Sequence, residues 1–421
     1  MKKYLLIVIV SFSLINCQPN KNPVNLEKPT NQIVIGQIDS VYSNILNESR
    51  EIWVHVPESA KNGAFNIAKY PVLYLLDGPG HFYSVTGMIK KLNYGNTIVP
   101  EMIIVGIANT DRVRDLTPTH VGVNFSGKNT QNSSGGGNKF LDFVEGELIP
   151  YIEKTYPAST YRTFVGHSFG GLSVLNALVT KPKLFNNYVA IDPSLWWDGQ
   201  AYLSTVDSVL TTDKFNNRSL YVAIANTMKE GMNIDEGLRD TTRSTAHIRS
   251  EFKLVNAIEA MNNNNGLLLG WKYYKDENHS SVPLIAEYDA IRFLFPWYGL
   301  EGLNKFYDHN SNTNAQELLS LVNSHYKNLS AHFGYEVLPP GQYINTHGYR
   351  LMGNNMLDKA SALFDLNLQN YPKSSVAHNS MGDCYLAQKD SIKALEYFTK
   401  ALEIEDNSFS QEKIEMLKNN F

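Results

Sequence analysis

Two periods of apolar and polar positions follow one another along the first 300 residues. Residues 33–57 alternate between apolar and polar side chains, which is typical of antiparallel strands with one solvent-facing side. Residues 140–151 place apolar side chains at spacings of three and four, as an amphipathic helix does. Short apolar or β-prone runs predict further strands at residues 70–76, 102–108, 163–165, 187–191, 219–225 and 271–274. Strands that alternate with helices favour a mostly parallel sheet covered on both faces, so an α/β fold is predicted.

After Pro296 the pattern becomes helical and repeats. Gly348 and Gly382 are 34 residues apart, and small and aromatic residues recur at the same offset, among them Phe364 and Phe398. This spacing resembles the tetratricopeptide helix-turn-helix repeat. The prediction is a helical linker at residues 299–340, followed at 341–421 by two tetratricopeptide-like units with a capping helix. A plain pair of helical hairpins is the alternative.

The N-terminal segment has the charge and apolar pattern of an export signal. Lys2 and Lys3 precede a short apolar run, which ends at Cys17. The residues before Cys17 resemble a bacterial lipobox, with Asn16 where a smaller residue is usual. The resemblance implies a signal peptide at 1–17, lipidation of Cys17, a flexible tether at 18–32, and a periplasmic or cell-envelope location. The alternative is an ordinary signal peptide.

The composition excludes several functional classes. A net charge of -4 provides no basic field for nucleic acid. Two cysteines, Cys17 and Cys384, cannot build a disulfide framework. No metal-binding cysteine–histidine cluster is recognisable in the sequence, so neither a metal nor an organic cofactor is predicted.

The most informative stretch is GHSFGG at residues 166–171, where a predicted strand, an abrupt turn and a helix meet at a serine. A serine hydroxyl is a weak nucleophile and must stand clear of the sheet, where a base can reach it. Gly166 and Gly170 remove side-chain clashes around such a turn. Ser168 is therefore predicted to be a nucleophile, and the Phe169 N–H to be one donor to an oxyanion.

A nucleophilic serine needs a base, usually a histidine that an acid orients. Two histidines lie between Ser168 and the helical repeats. His247 falls within a helical pattern, whereas His279 follows a predicted strand in a loop, from which an imidazole can reach the site. His279 is therefore the predicted base.

The acid is less well defined. Glu230 is the nearest carboxylate after the predicted strand at 219–225, and Asp235 is the next. Glu230 is chosen as the third member, with Asp235 as the alternative. Further candidates for orienting the ring are Asp192, Asp276, Glu277, Asn226 and a backbone carbonyl.

Several stretches taken together carry a family resemblance: residues 74–78, 114–118, 166–171, 192–198 and 279–283. Through them, residues 33–295 resemble the putative esterase family of α/β-hydrolases, which includes enterochelin-type siderophore esterases, esterase D and feruloyl or acetyl-xylan esterases. The resemblance implies an α/β-hydrolase domain, placed here at 33–298, with Ser168 as nucleophile and His279 as base.

The resemblance also bears on the oxyanion and on the substrate. In that family the residue after the Asp-Gly pair often supplies the second oxyanion donor, but Pro79 has no N–H. The second donor is therefore expected at Gly80 or, failing that, Gly78. Trp196 and Trp197 are predicted to form an aromatic wall for the substrate, with a buried tryptophan pair as the alternative.

The function predicted from the sequence is that of an exported serine carboxylesterase. It would hydrolyse a siderophore lactone or an acylated carbohydrate through an acyl-enzyme, with acyl transfer to an alcohol as a variant on the same residues. The alternative is a lipoprotein scaffold that binds a protein partner through its repeats and carries a weakly active or inactive hydrolase domain.

Overall fold

One mixed sheet organises the part of the chain that the computed structural model describes, namely residues 31–62, 64–65, 69–94, 98–122, 133–261 and 264–419. Its strands are β1 Gln37–Ser43, β2 Glu48–His55, β3 Tyr70–Leu75, β4 Ile103–Ile107, β5 Ala158–His167, β6 Asn187–Ile191, β7 Arg218–Ala225 and β8 Leu267–Tyr274. They lie in the order β1-β2-β4-β3-β5-β6-β7-β8. Strand β2 pairs antiparallel with β1 and β4, and the other pairs are parallel. The predicted α/β fold is confirmed.

Helices cover the sheet and continue beyond it. Their bounds are α1 Ser59–Asn62, α2 Gly78–Asn93, α3 Arg112–Leu116, α4 Gly137–Phe143, α5 Ile149–Thr155, α6 Phe169–Thr180, α7 Ala201–Thr212, α8 Ile234–Arg239, α9 Ala246–Glu259, α10 Val282–Leu294, α11 Ala315–Phe333, α12 Gly341–Gly353, α13 Leu357–Asn370, α14 Ser375–Ala387, α15 Ser391–Ile404 and α16 Ser408–Lys418. A π-helical turn at Val144–Leu148 separates α4 from α5, so the single helix predicted at 140–151 is interrupted. Within the described ranges, every helix is too short or too polar to cross a membrane.

Strand β2 follows the predicted alternation, with one charged residue on its buried side. Ile52 and Val54 of β2 are buried, and Glu51, directly before Ile52, is exposed. Arg50 is also fully buried, and its guanidinium lies 2.5 Å from the carboxylate of Asp115. Burial of an unpaired charge would be costly, so this ion pair makes the polar position possible. Asp115 belongs to residues 114–118, one of the stretches that carry the family resemblance, so that stretch contributes to packing.

The two faces of the sheet bury separate cores. Successive residues of a strand point to opposite faces, and in β3 Val72 and Tyr74 join one core while Leu73 and Leu75 join the other. The second core continues from the sheet through α2 and α10 into α11, α12 and α13. Accordingly, the described residues from Ile35 onward form one compact unit. The predicted boundaries at residues 298 and 340 stay predictions.

The C-terminal region is all-α, as predicted, and its 34-residue offset corresponds to a repeated contact. A Cβ at Gly348 would overlap the ring of Phe364, and a Cβ at Gly382 would overlap the ring of Phe398. Each glycine thus lets two helices of a hairpin approach closely, α12 on α13 and α14 on α15. The tetratricopeptide interpretation remains a prediction.

The features predicted for the N-terminal segment fall on residues that lie almost wholly outside the described ranges. These features are the signal peptide, the lipidation of Cys17 and the tether at 18–32. They stay predictions.

Candidate active site

Three polar residues leave the sheet at the carboxyl ends of adjacent strands. Asp77 lies just beyond β3, Ser168 directly follows β5 and Asp192 directly follows β6. All three have positive φ angles, of 53°, 60° and 43° respectively. Such angles are unfavourable for residues with a side chain and need support from their surroundings. Ligands bind at the carboxyl ends of the strands in open α/β sheets, so the carboxyl ends of β3, β5 and β6 form the candidate active site.

The turn at Ser168 is held by backbone contacts on both sides. Its N–H donates to the Ile191 carbonyl at 2.9 Å, and its own carbonyl accepts from the Ser194 N–H at 3.1 Å. A Cβ at Gly166 would overlap the backbone of Gly170, so a side chain is excluded there. The turn thereby presents the Ser168 side chain above the sheet, at the start of α6.

The structure brings Ser168 and His279 together across 111 residues of chain. The Nε2 atom of His279 lies 3.2 Å from Ser168 Oγ, which is hydrogen-bond distance. His279 sits between β8 and α10, and its ring also packs at 4.5 Å, between centroids, from the ring of His167. The side chain of His279 remains 41% exposed, so solvent can reach the imidazole.

The carboxylate that contacts His279 is that of Asp192. Its Oδ2 atom lies 2.5 Å from His279 Nδ1, and its Oδ1 atom accepts from the Ala225 N–H at 2.7 Å. Glu230 and Asp235, the residues chosen from the sequence, are both exposed, and among the described contacts neither pairs with His279. The choice of Glu230 is therefore corrected to Asp192.

The physical reason for this correction is sheet order. Strand β6 lies between β5 and β7, so the residue just after β6 is beside the Ser168 turn. Glu230 and Asp235 lie farther along the chain, before and within α8, and both are exposed. Distance along the sequence from the nearest strand could not show this, whereas the Asp-Pro-Ser stretch at 192–194 was a usable signal.

A second histidine binds the same carboxylate oxygen. His247 Nε2 lies 3.0 Å from Asp192 Oδ2, and the rings of His247 and His279 meet at 87° with centroids 5.5 Å apart. His247 is indeed on a helix, as predicted, but it is the second residue of α9 and points toward the site. Its partnership with Asp192 was not predicted.

Burial and hydrogen bonding act in opposite directions on the acid and the neighbouring imidazole. Burial opposes ionisation of Asp192, but hydrogen bonds from His247 and His279 outweigh it and lower its pKa. Burial lowers the pKa of His167 to about 4, helped by His279. The site at neutral pH therefore holds an ionised Asp192 beside an uncharged His167.

The oxyanion donors are only partly as predicted. Phe169 begins α6, and the first amides of a helix have no partner within the helix. Gly80 differs from the prediction, since its N–H donates to the Asp77 carbonyl at 2.9 Å. That bond occupies the donor, so the assignment of Gly80 is corrected. Of the two glycines considered, Gly78 remains.

Aromatic and basic side chains surround the mouth of the site. Trp196 is half-buried, with its ring centroid 5.9 Å from that of Phe169. Trp197 is buried, and its indole N–H donates to Thr119 Oγ1 at 3.1 Å. Trp197 therefore packs against its neighbours, and its predicted contact with substrate stays a prediction. The guanidinium of Arg112 lies 5.5 Å from the centre of the Phe169 ring and pairs with Asp77 at 2.7 Å.

Among the described residues, two groups of side chains have the donor types that bind metal ions. They are His167, Asp192 and His279, and Asp192, His247 and Glu251, with ligand atoms within 4.8 Å of one another. Both groups share Asp192, and its contacts with the two imidazoles are hydrogen bonds that account for the clustering. No metal is needed to explain the geometry.

Comparisons with known proteins identify the family of the chain. The model of a family described as "Putative esterase" matches residues 43–265. The chain belongs to the putative esterase family. This family membership, expected from the short stretches above, is confirmed.

Individual relatives share part or most of their length with the chain. Ferri-bacillibactin esterase BesA of Bacillus subtilis is 34% identical over 173 residues, which are 38% of this chain and 59% of that protein. A siderophore enterobactin esterase of Emericella nidulans is 30% identical over 256 residues, 53% of this chain and 81% of that protein. The crystal structure of an IroE-like serine hydrolase from Shewanella oneidensis has a TM-score of 0.64 at 32% identity, covering 79% of this chain and 99% of that one.

Proposed function

We propose that this chain hydrolyses carboxylic esters, with Ser168 as nucleophile, His279 as general base and Asp192 as the residue that orients His279. One observation carries the proposal: Ser168 Oγ, His279 and Asp192 Oδ2 form a continuous hydrogen-bonded series with distances of 3.2 Å and 2.5 Å. Hydrogen-bond reach between nucleophile, base and orienting acid is the geometric requirement of this chemistry. The membership of the esterase family supports the same reading.

The reaction proceeds in two balanced halves. His279 Nε2 accepts the Ser168 proton while Oγ bonds to the ester carbon, and the Phe169 N–H donates to the resulting oxyanion. The carbon–oxygen bond to the leaving alcohol then breaks, and the alcohol takes the proton from His279. In the second half, water gives a proton to His279 and attacks the acyl-enzyme. Release of the acid returns that proton to Ser168.

The proposed substrate is a siderophore ester. Two curated relatives are named as esterases of ferri-bacillibactin and of enterobactin. At the mouth of the site, the rings of Phe169 and Trp196 offer apolar area for an aromatic acyl group, and Arg112 supplies a positive charge. An acylated carbohydrate is the second candidate, which a panel of both ester types would distinguish.

The experiment that tests the proposal compares Ser168→Ala with a matched control on p-nitrophenyl acetate. Ser173→Ala is suitable because Ser173 is buried on the same helix and its hydroxyl has no partner among the described residues. Ser168→Ala should lose turnover by a factor of about 10³ or more, whereas Ser173→Ala should keep it. Covalent labelling by an organophosphate should also map to the peptide that contains Ser168. Equal turnover by wild type and Ser168→Ala would reject the proposal.

The scaffold alternative rested on two features of the sequence, the missing N–H at Pro79 and the undefined acid. The hydrogen bond between Asp192 and His279 supports an acid at that position and so weighs against the second reason. Export and lipid attachment at Cys17 are proposed as before. Partner binding through α12 to α16 is proposed only as an addition to the esterase activity.

A further inference from the structure

The carboxylate of Asp192 accepts hydrogen bonds from three different elements. The Ala225 N–H, at the end of β7, binds Oδ1 at 2.7 Å. His279 and His247 share Oδ2 at 2.5 Å and 3.0 Å. Because Asp192 also has a φ of 43°, its backbone conformation is unfavourable and needs such support. The esterase reaction uses only one of these contacts directly, the one to His279.

A buried acid lies behind this arrangement. Glu251 is one helical turn after His247 on α9, and its Oε1 atom is 3.8 Å from His247 Nε2. Glu251 is completely buried, and His247 is its one ion-pair candidate among the described residues. Complete burial and the charge of Asp192 raise its pKa well above the usual carboxyl range. Asp192 therefore carries the negative charge of this cluster, and Glu251 is neutral.

We propose that His247 is a positioning residue, which holds Asp192 in the orientation that aims its Oδ2 atom at His279. The inference rests on the proposed esterase function and assigns to α9 a part in it. His247 donates through Nε2 from the interior side, while His279 donates through Nδ1 from the solvent side. The carboxylate is thereby fixed between two imidazoles and cannot rotate away from His279 without losing a hydrogen bond.

A role confined to packing would make a different prediction. His247 is mostly buried, with a side-chain exposure of 14%, so any replacement disturbs some contacts. A residue that acts through Asp192, however, must affect the chemical step and its dependence on pH. The titratable groups that face Asp192 and His279 are His247, Glu251 and His167. Of these, His247 donates to the Asp192 carboxylate at 3.0 Å, and Glu251 shares a side-chain hydrogen bond with the same residue.

Two replacements separate these roles. His247→Gln keeps an N–H donor at nearly the position of Nε2, whereas His247→Leu removes the donor but keeps apolar volume. The readouts are kcat, KM and the pH profile of kcat/KM, with the melting temperature measured in parallel. The matched controls are His325→Gln and His325→Leu, because His325 is also a helical histidine whose Nε2 atom makes one 3.0 Å hydrogen bond, to the Tyr298 carbonyl.

The expected result has three parts. His247→Leu lowers kcat by about 10- to 100-fold, a fraction of what a general base contributes, and leaves KM unchanged. The acid limb of its pH profile moves to higher pH, because the whole charge of Asp192 then bears on the protonated His279 ring. His247→Gln recovers kcat to within a few-fold of wild type. The His325 variants change the melting temperature without moving the pH profile.

Specific outcomes would overturn the inference. It fails if His247→Leu keeps wild-type kcat and pH profile, or if His247→Gln loses as much activity as His247→Leu. If His247→Leu does not fold, His247→Asn replaces it, since the shorter amide cannot span to Asp192. Failure of the proposed function is a separate result: it would appear as an active Ser168→Ala variant, whatever the His247 variants do.

Discussion

The rings of Tyr161 and Phe333 meet edge to face with their centroids 4.9 Å apart, which joins strand β5 to helix α11. Tyr161 lies near the amino end of β5, and Ser168 follows the carboxyl end of the same strand. Helix α11 therefore packs near the amino end of β5, whereas the candidate active site lies at the carboxyl end of that strand. Damage to the helical contact should then change stability without changing the chemistry.

Phe333→Ala tests this separation. Phe333 is 4% exposed, and truncation of a buried phenylalanine costs about 3–5 kcal/mol of unfolding free energy. We expect a loss of that order in urea unfolding, with kcat/KM per folded molecule unchanged below the transition. A large fall in kcat/KM of the folded protein would show that the packing at the amino end of β5 affects the site at its carboxyl end.

Asp192→Asn tests the corrected choice of acid. The amide cannot stabilise a protonated His279, so kcat should fall by about 10³- to 10⁴-fold, as expected for the acid of such a triad. Glu230→Gln is the control and should retain wild-type turnover, because Glu230 is exposed and makes no described contact with His279. If the two variants exchange these results, the sequence-based choice was right and the geometric one was wrong.

The buried acid Glu251 should make stability fall as pH rises. In the acid range both the folded and the unfolded chain hold its proton. Above the usual carboxyl range the unfolded chain releases the proton while the folded chain keeps it, because burial raises the folded pKa. Glu251→Gln cannot titrate, so its unfolding free energy should improve relative to wild type between pH 4.5 and 7.5. The limiting slope is about 1.4 kcal/mol per pH unit.

This comparison requires urea unfolding of both proteins at several pH values. Glu259→Gln, at the exposed end of the same helix, is the matched control for the loss of a carboxylate. A stability difference between Glu251→Gln and wild type that is constant across the range would mean that Glu251 is already ionised in the folded protein.

Gly348→Ala tests the close approach of α12 and α13. The added Cβ would overlap the ring of Phe364, so we expect a loss of about 1–3 kcal/mol from overpacking. Gly353→Ala in the same helix meets no atom within 4 Å and should be neutral or stabilise by up to about 1 kcal/mol. Similar effects of both changes in thermal unfolding would contradict the packing argument.

Much of this arrangement could be predicted, because its signals are local. The buried run before Asp77 and the glycines around Ser168 mark strands and turns through their own composition. The contact of His279 with Ser168 could be inferred because His279 follows a strand in a loop. The contact of His279 with Asp192 could not, because strand order in the sheet decides which residue lies beside Ser168, and that order is set by pairing between distant segments. The packing of Trp197 depended likewise on a remote partner, Thr119.

The unfavourable backbone angles at Asp77, Ser168 and Asp192 have a consequence for protein engineering. Glycine would relax each turn, but it would remove the very side chain that the turn displays. Screens for thermostable variants should therefore find stabilising substitutions in the helical region and on the outer strands. At Asp77, Ser168 and Asp192, a change that raises the stability of the fold removes a side chain of the candidate active site.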